Sequence, residues 1–257
     1  MVFYCRLIHF RWYLCAIKLI VLSKKALFAL CLAILLPVIC YLLVDKLSSD
    51  KVHMPPRYYV DTVFSKIANG KSSTDTIWHK VPNIQLTNQL GTSVSLDDLN
   101  GKIIIADFFF TRCPSICPTL TKNMRMLQDA LKGKDPRRQD TPFVHFLSFS
   151  VDPERDSVPA LKKYCDKYGV NPDVWWMLTG PKDSIYNFAL NEIKLGIQNG
   201  EGVDSNFIHT QRLVLIDRER IIRGYYNGLD SAAMSKLAED LTLLMLEKDR
   251  KKKRSFF

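Results

Sequence analysis

Nineteen consecutive residues, 26–44 (ALFALCLAILLPVICYLLV), carry no charge, and this run constrains the chain more than any other feature. As an α-helix, at about 1.5 Å per residue, it spans roughly 28 Å, close to the hydrocarbon thickness of a bilayer. Arg6, Arg11, Lys18, Lys24 and Lys25 precede it, whereas its far flank is mixed, with Asp45 and Lys46. That excess of basic residues predicts a cytoplasmic N-terminus, with the rest of the chain on the periplasmic or other extracytoplasmic side of the inner membrane. A cleaved signal peptide is the competing reading. No small-x-small cleavage site follows, and Cys31 and Cys40 lack the small residue that a lipoprotein signal needs just before its cysteine. An uncleaved single-pass anchor is therefore expected.

The remaining length, out of 257 residues, suits one well-buried domain with appendages and not two large ones. The net charge of +10 has a plain origin, because much of the excess lies in residues 1–25 and in the tail 248–257. No basic stripe interleaved with aromatics runs through the middle, so nucleic-acid binding is not expected. The organisation read from the chain is a basic N-terminus (1–25), an anchor (26–44), a polar spacer (45–74) containing Pro55 and Pro56, a domain (75–247) and a solvated basic tail (248–257). The seven cysteines divide accordingly. Cys5 and Cys15 precede the anchor, and Cys31 and Cys40 lie within it as small apolar residues. Only Cys113, Cys117 and Cys165 remain in the domain, which is the arithmetic of a working pair and a half-buried inert spare, not of a disulfide scaffold.

Within the domain the pattern predicts a hairpin (IQLTN, a turn at Gln89-Leu90-Gly91, TSVSL). It then predicts a strand buried on both faces (KIIIADFFF) and a helix over 118–131. A second buried strand (FVHFLSFSV), the polar loop 152–156, a helix over 158–168, the strand WWMLT and a helix over 182–195 follow. The strands RLVLID and IIRGYY and a helix over 231–247 end it. This is an α/β plan: a thioredoxin-like mixed sheet flanked by helices, with an N-terminal β-hairpin extension and one N-terminal transmembrane helix.

Cys113 and Cys117 fall between the end of a buried strand and the start of a helix, where open sheets place their sites. Pro118 suits the first helical position, so Cys117 is expected near the N-cap, where free N–H groups and the helix dipole stabilise a thiolate, and both thiols of this short loop are candidates for a lowered pKa. A structural zinc site lacks a second CxxC or CxxH pair. Two surface thiolates either bind a soft metal, with Cu(I) the natural choice, or cycle between dithiol and disulfide. A histidine ligand would favour metal. His9 precedes the anchor and His53 lies in the spacer; His79 precedes the hairpin and His145 lies inside an apolar strand as a core or edge residue. His209, at the end of a glycine-containing polar loop and just before RLVLID, reads on position alone as either a ligand or a plain loop histidine. Asp107 lies inside the buried run, six residues before Cys113, the offset of the buried aspartate in thioredoxins. It is either a desolvated proton relay to the inner cysteine or a paired residue at a sheet edge.

Residues 78–246 resemble the Sco/SenC family of thioredoxin-like copper chaperones. The resemblance rests on FFFTRCPSICPTLT with its CxxxCP core, on SVDPERDSVPALKKY, on the end of WWMLTG, and on a histidine just before LVLIDRERIIRGYY. It implies copper held by Cys113, Cys117 and His209, as Cu(I) or, with one extra donor, Cu(II). It also implies a partner that is the copper-bearing subunit of cytochrome c oxidase or another copper chaperone, with a thiol–disulfide reductase keeping the pair reduced. Asp152, Glu154 and Arg155 match a family loop and are expected to brace it. Ile208 departs from the family pattern, where an aspartate often precedes the histidine. The implied role is a metallochaperone that delivers copper to, or reduces cysteines of, the oxidase copper centre during assembly. The alternative is a thiol–disulfide oxidoreductase acting on exported proteins through Cys113 and Cys117.

Overall fold

The computed structural model describes residues 24–49, 53–68, 71–131, 143–195 and 210–254. The chain divides into two compact units, Met1–His53 and Met54–Phe257. The described part of the first is helix α1 (Lys24–Ser49), which contains Pro37. Its stretch Phe28–Lys46 has a mean hydropathy of 2.5 and is long and apolar enough to cross a membrane.

The second unit is built on a seven-stranded mixed sheet in the order β4-β3-β7-β6-β5-β8-β9. Its members are β3 (Gln85–Asn88), β4 (Ser93–Ser95), β5 (Ile103–Phe109), β6 (Val144–Ser150), β7 (Trp175–Thr179), β8 (Arg212–Ile216) and β9 (Ile222–Asn227). β5, β6 and β7 run parallel, while β8 lies antiparallel to β5 and β9 antiparallel to β8. Every residue of β5 and β6 is buried, which explains their continuous apolar runs. Alternate side chains feed two cores. One face packs Ile103, Ile105 and Phe109 against helices α2 (Ile116–Leu131), α3 (Val158–Tyr168) and α5 (Ser231–Arg254). The other packs Ile104, Ala106 and Phe108 against α4 (Lys182–Asn187), the π-helical turn Phe188–Glu192 and the β3–β4 hairpin. α3 stops where Gly169 takes a left-handed φ of 66°, its N–H closing on the Cys165 carbonyl.

Several expectations change in detail. The stretch 45–74 is not irregular throughout: β1 (Val60–Ala68) and β2 (Lys71–Trp78) form a separate antiparallel hairpin. Its β-branched residues favour strands, but its polar alternation hides the period. The residues before it are tied to the domain, with Tyr58 N–H donating to the Ile222 carbonyl and Arg223 donating twice to the Pro55 carbonyl, at 3.0 and 2.7 Å. Ile222 pairs with Ile216 and Ile216 with Ile104, so this attachment lies at the end of the sheet opposite the carboxyl end of β5. The helix expected over 182–195 is α-helical only to Asn187. There the wider π turn lets Phe188, Ala189, Ile193 and Leu195 all enter the core. α5 continues past residue 247 into the basic tail, whose lysines and arginines are good helix formers. His145 is a core residue, as one reading had it: it lies 4.4 Å from the Trp176 ring, and burial pulls it down to about 3, so it is neutral. Cys165 is buried, not half-buried, and burial pushes its thiol up to about 12.

Candidate dithiol site

β5 ends at Phe109 and α2 begins at Ile116, two residues earlier than the proline suggested. Cys117 therefore occupies the second helical position and points into the core, 1% exposed, while Cys113 precedes the helix and is 9% exposed. The Cys117 backbone N–H donates to the Cys113 sulfur at 3.4 Å. Of the two candidate thiols only the outer one, Cys113, is favoured as a thiolate, because it is the outer sulfur that meets the free N–H groups of the helix N-terminus. Burial raises the Cys113 thiol, but the N–H of Cys117, its thiol, and the N–H groups of Ser115 and Ile116 outweigh that and leave it below the ordinary thiol value. Burial pushes Cys117 the other way, to about 12; a backbone contact at Phe110 opposes this, while Cys113 and Asp107 add to it.

This asymmetry predicts site-selective alkylation. At pH 7.5 iodoacetamide is expected to modify Cys113 at least about tenfold faster than Cys117 or Cys165, since the thiolate is the nucleophile. Peptide mass mapping over time checks it; comparable rates at Cys113 and Cys117 would contradict the geometry.

Asp107 lies on the same face of β5 as Ile105 and Phe109, the face that packs against Cys117 and α2, and is 1% exposed. It is not at a sheet edge: β5 is flanked by β6 and β8. The Ser148 hydroxyl donates to it at 2.5 Å, and Trp175 Nε1 donates to Ser148 at 2.9 Å. Burial raises its carboxyl to about 7, although the Ser148 bond and its own backbone oppose the shift.

One group missed by sequence reasoning is Asp156. Its carboxylate accepts from the Thr111 N–H at 3.1 Å, from the Thr111 hydroxyl at 2.5 Å and from the Ser150 hydroxyl at 2.6 Å. The only sequence signal was its place at the end of the polar loop 152–156. Of the residues expected to brace that loop, Asp152 does so through its carbonyl, which accepts from the Arg155 and Asp156 N–H groups, and Arg155 pairs with Asp152 at 3.6 Å. Glu154 pairs instead with Lys182 at 3.7 Å. His209 and Ile208 lie outside the described residues. Among the described residues, no three His, Cys, Asp or Glu side chains cluster to hold a metal.

A buried strand that delivers two thiols to a helix N-terminus, inside a mixed sheet with helices on both faces, defines a thioredoxin-like dithiol protein. A sequence profile described as SCO1/SenC matches residues 77–245. The chain belongs to the SCO1/SenC family. It is 34% identical over 180 residues to the SCO1 protein homolog of Bacillus subtilis (strain 168), a match covering 70% of this chain and 90% of that one. It is 29% identical over 147 residues to a protein of Stutzerimonas stutzeri described as a putative copper-binding protein, covering 56% of this chain and 68% of that one. Among solved structures it is similar to a SCO1/SenC family lipoprotein from Bacillus anthracis str. Ames, with a TM-score of 0.54, 31% identity, and coverage of 65% and 95%. It is also similar to BsSco, a member of the Sco family of cytochrome c oxidase assembly proteins in which a disulfide switch was identified. That match has a TM-score of 0.53, 35% identity, and coverage of 65% and 93%.

Proposed function

We propose that this protein is a membrane-anchored copper carrier of Sco type, holding copper through Cys113, Cys117 and His209 for assembly of the copper centre of cytochrome c oxidase. The observation that carries the reading is the presentation of two cysteines on one short loop, with the sulfur of Cys113 set against helix N–H groups. Two soft thiolates are the donor set that suits Cu(I), and a third, imidazole donor completes a trigonal site.

The placement of β8 supports the third ligand. Ala106 pairs with Val214 in an antiparallel register, so the ladder carries Arg212 toward Phe108 and Gln211 toward the cysteine loop. The Gly228 N–H donates to the Gln211 carbonyl at 2.8 Å. Gly228 in turn packs so closely on α2 that a Cβ there would collide with the Leu120 side chain. Gln211 is two residues from His209, at most about 7 Å along the chain. α1 supplies an anchor of suitable length, and the relatives supply the biological setting: a lipoprotein, a putative copper-binding protein and an oxidase assembly protein.

The expected result of titrating the reduced full chain in detergent against a Cu(I) chelator is one tight site per chain. His209→Ala is expected to weaken it by at least the roughly tenfold to hundredfold that loss of an outer-shell partner costs, and Cys113→Ser to abolish it. Copper affinity unchanged in His209→Ala would rule out the three-ligand site.

A second reading, a thiol–disulfide oxidoreductase, is favoured by the split between a lowered outer thiol and a raised inner one above the buried Asp107. Insulin reduction that depends on Asp107, in a protein without a tight copper site, is the result that selects it.

A further inference from the structure

The Asp156 side chain is fully buried, and among the described residues its charge is met by hydrogen bonds alone. Those bonds join two segments. Ser150 ends β6, whereas Thr111 opens the cysteine loop two residues before Cys113. From Thr111 to the start of α2 at Ile116 the described backbone bonds include the one from the Cys113 N–H to the Phe110 carbonyl, at 3.2 Å. The helix fixes the far end of the loop, and Asp156 fixes the near end at both the backbone N–H and the hydroxyl of Thr111. The contact between the Cys113 sulfur and the Cys117 N–H, at 3.4 Å, is lost if the loop shifts by about an ångström.

We propose that Asp156 is a positioning residue of the dithiol: its clamp on Thr111 holds the Cys113 sulfur against the Cys117 N–H at the start of α2. The proposal rests on reading Cys113 and Cys117 as the working pair. It does not require that the pair bind copper. Asp156 touches neither thiol in the described bonds and acts through the loop.

The first readout is the rate of Cys113 alkylation by iodoacetamide at pH 7.5, in the reduced, metal-free full chain. Asp156→Ala is expected to slow it by roughly tenfold. Asp156→Asn, which keeps an acceptor for Thr111 at the same place, is expected to stay within about threefold of the wild type. Ser150→Ala removes a donor to the same carboxylate without touching the cysteine loop, so it is expected to lower Tm while leaving the rate within about twofold. A folded Asp156→Ala protein with the wild-type rate overturns the proposal. So does an Asp156→Asn rate as low as that of Asp156→Ala, because the charge and not the clamp would then be responsible. If Asp156→Ala does not fold, Thr111→Val removes one of the two loop donors and is expected to slow alkylation by an intermediate factor; no slowing there also overturns the proposal. The second readout, Cu(I) affinity of the same variants, separates the two levels. Slowed alkylation in a chain that binds no copper would sink the carrier reading and leave the clamp standing.

Discussion

Replacing Asp107 with asparagine is expected to stabilise the protein by as much as about 4 kcal/mol at pH 8 and not at all near pH 3. The native carboxyl titrates at about 7 because burial disfavours its charge, against an ordinary value of 3.8. A raised carboxyl costs nothing while both folded and unfolded forms are protonated. As pH rises through 3.8 the unfolded chain ionises first and gains about 1.4 kcal/mol per unit, until the native group also ionises near 7 and the difference becomes constant. The native state is thus weakened progressively between about pH 4 and pH 7. Asparagine keeps an acceptor for the Ser148 hydroxyl without the buried charge, and any unmet donor of its amide subtracts from the gain. Thermal unfolding followed by tryptophan fluorescence, to which Trp175 contributes from two hydrogen bonds away through Ser148, measures the effect. Equal stabilities of the two proteins at pH 8 would show that Asp107 is not desolvated as the structure has it. The same substitution removes one of the influences that raise Cys117, so alkylation of the inner thiol should also begin at a lower pH.

Arg223→Ala is expected to have the opposite sign and similar size, a loss of about 3–5 kcal/mol. The guanidinium is 4% exposed and pairs at 2.9 Å with Asp217, itself 9% exposed, while two of its N–H groups hold the Pro55 carbonyl. Asp217 would keep the N–H groups of Glu219 and Ile221 but lose its cation, leaving a buried charge uncompensated. For a unit of this size the loss corresponds to a fall in Tm of roughly 10 °C. The carbonyl of Pro55 is freed at the same time, so limited proteolysis should cut the segment before β1 sooner in the variant. Arg223→Lys restores the charge but not the fork and is expected to fall between. A Tm within about 2 °C of the wild type in Arg223→Ala would show that the clamp is worth little.

These two residues mark the boundary between what was legible in the chain and what was not. The runs IIIADFF and VHFLSFS announced strands buried on both faces, and the break between the first run and an amphipathic helix announced where Cys113 and Cys117 sit. Asp107 stood out because a charged letter interrupts an apolar run. Asp156 did not, because it lies among other charged or polar letters, and for Arg223 as for Asp156 the role comes from partners 168 and 45 residues away in sequence.

By itself the sequence determined the apolar helix, the order of strands and helices from β3 onward, and the cysteine pair at a strand-to-helix junction, because these follow from local periodicity and spacing. The tertiary structure alone decided which of the two sulfurs faces the helix N-terminus, how the carboxyl of Asp156 reaches Thr111, and how Pro55 is fastened to β9. Each of those is a contact between segments distant in the chain. Their distances and burial exist only once the sheet has closed around them.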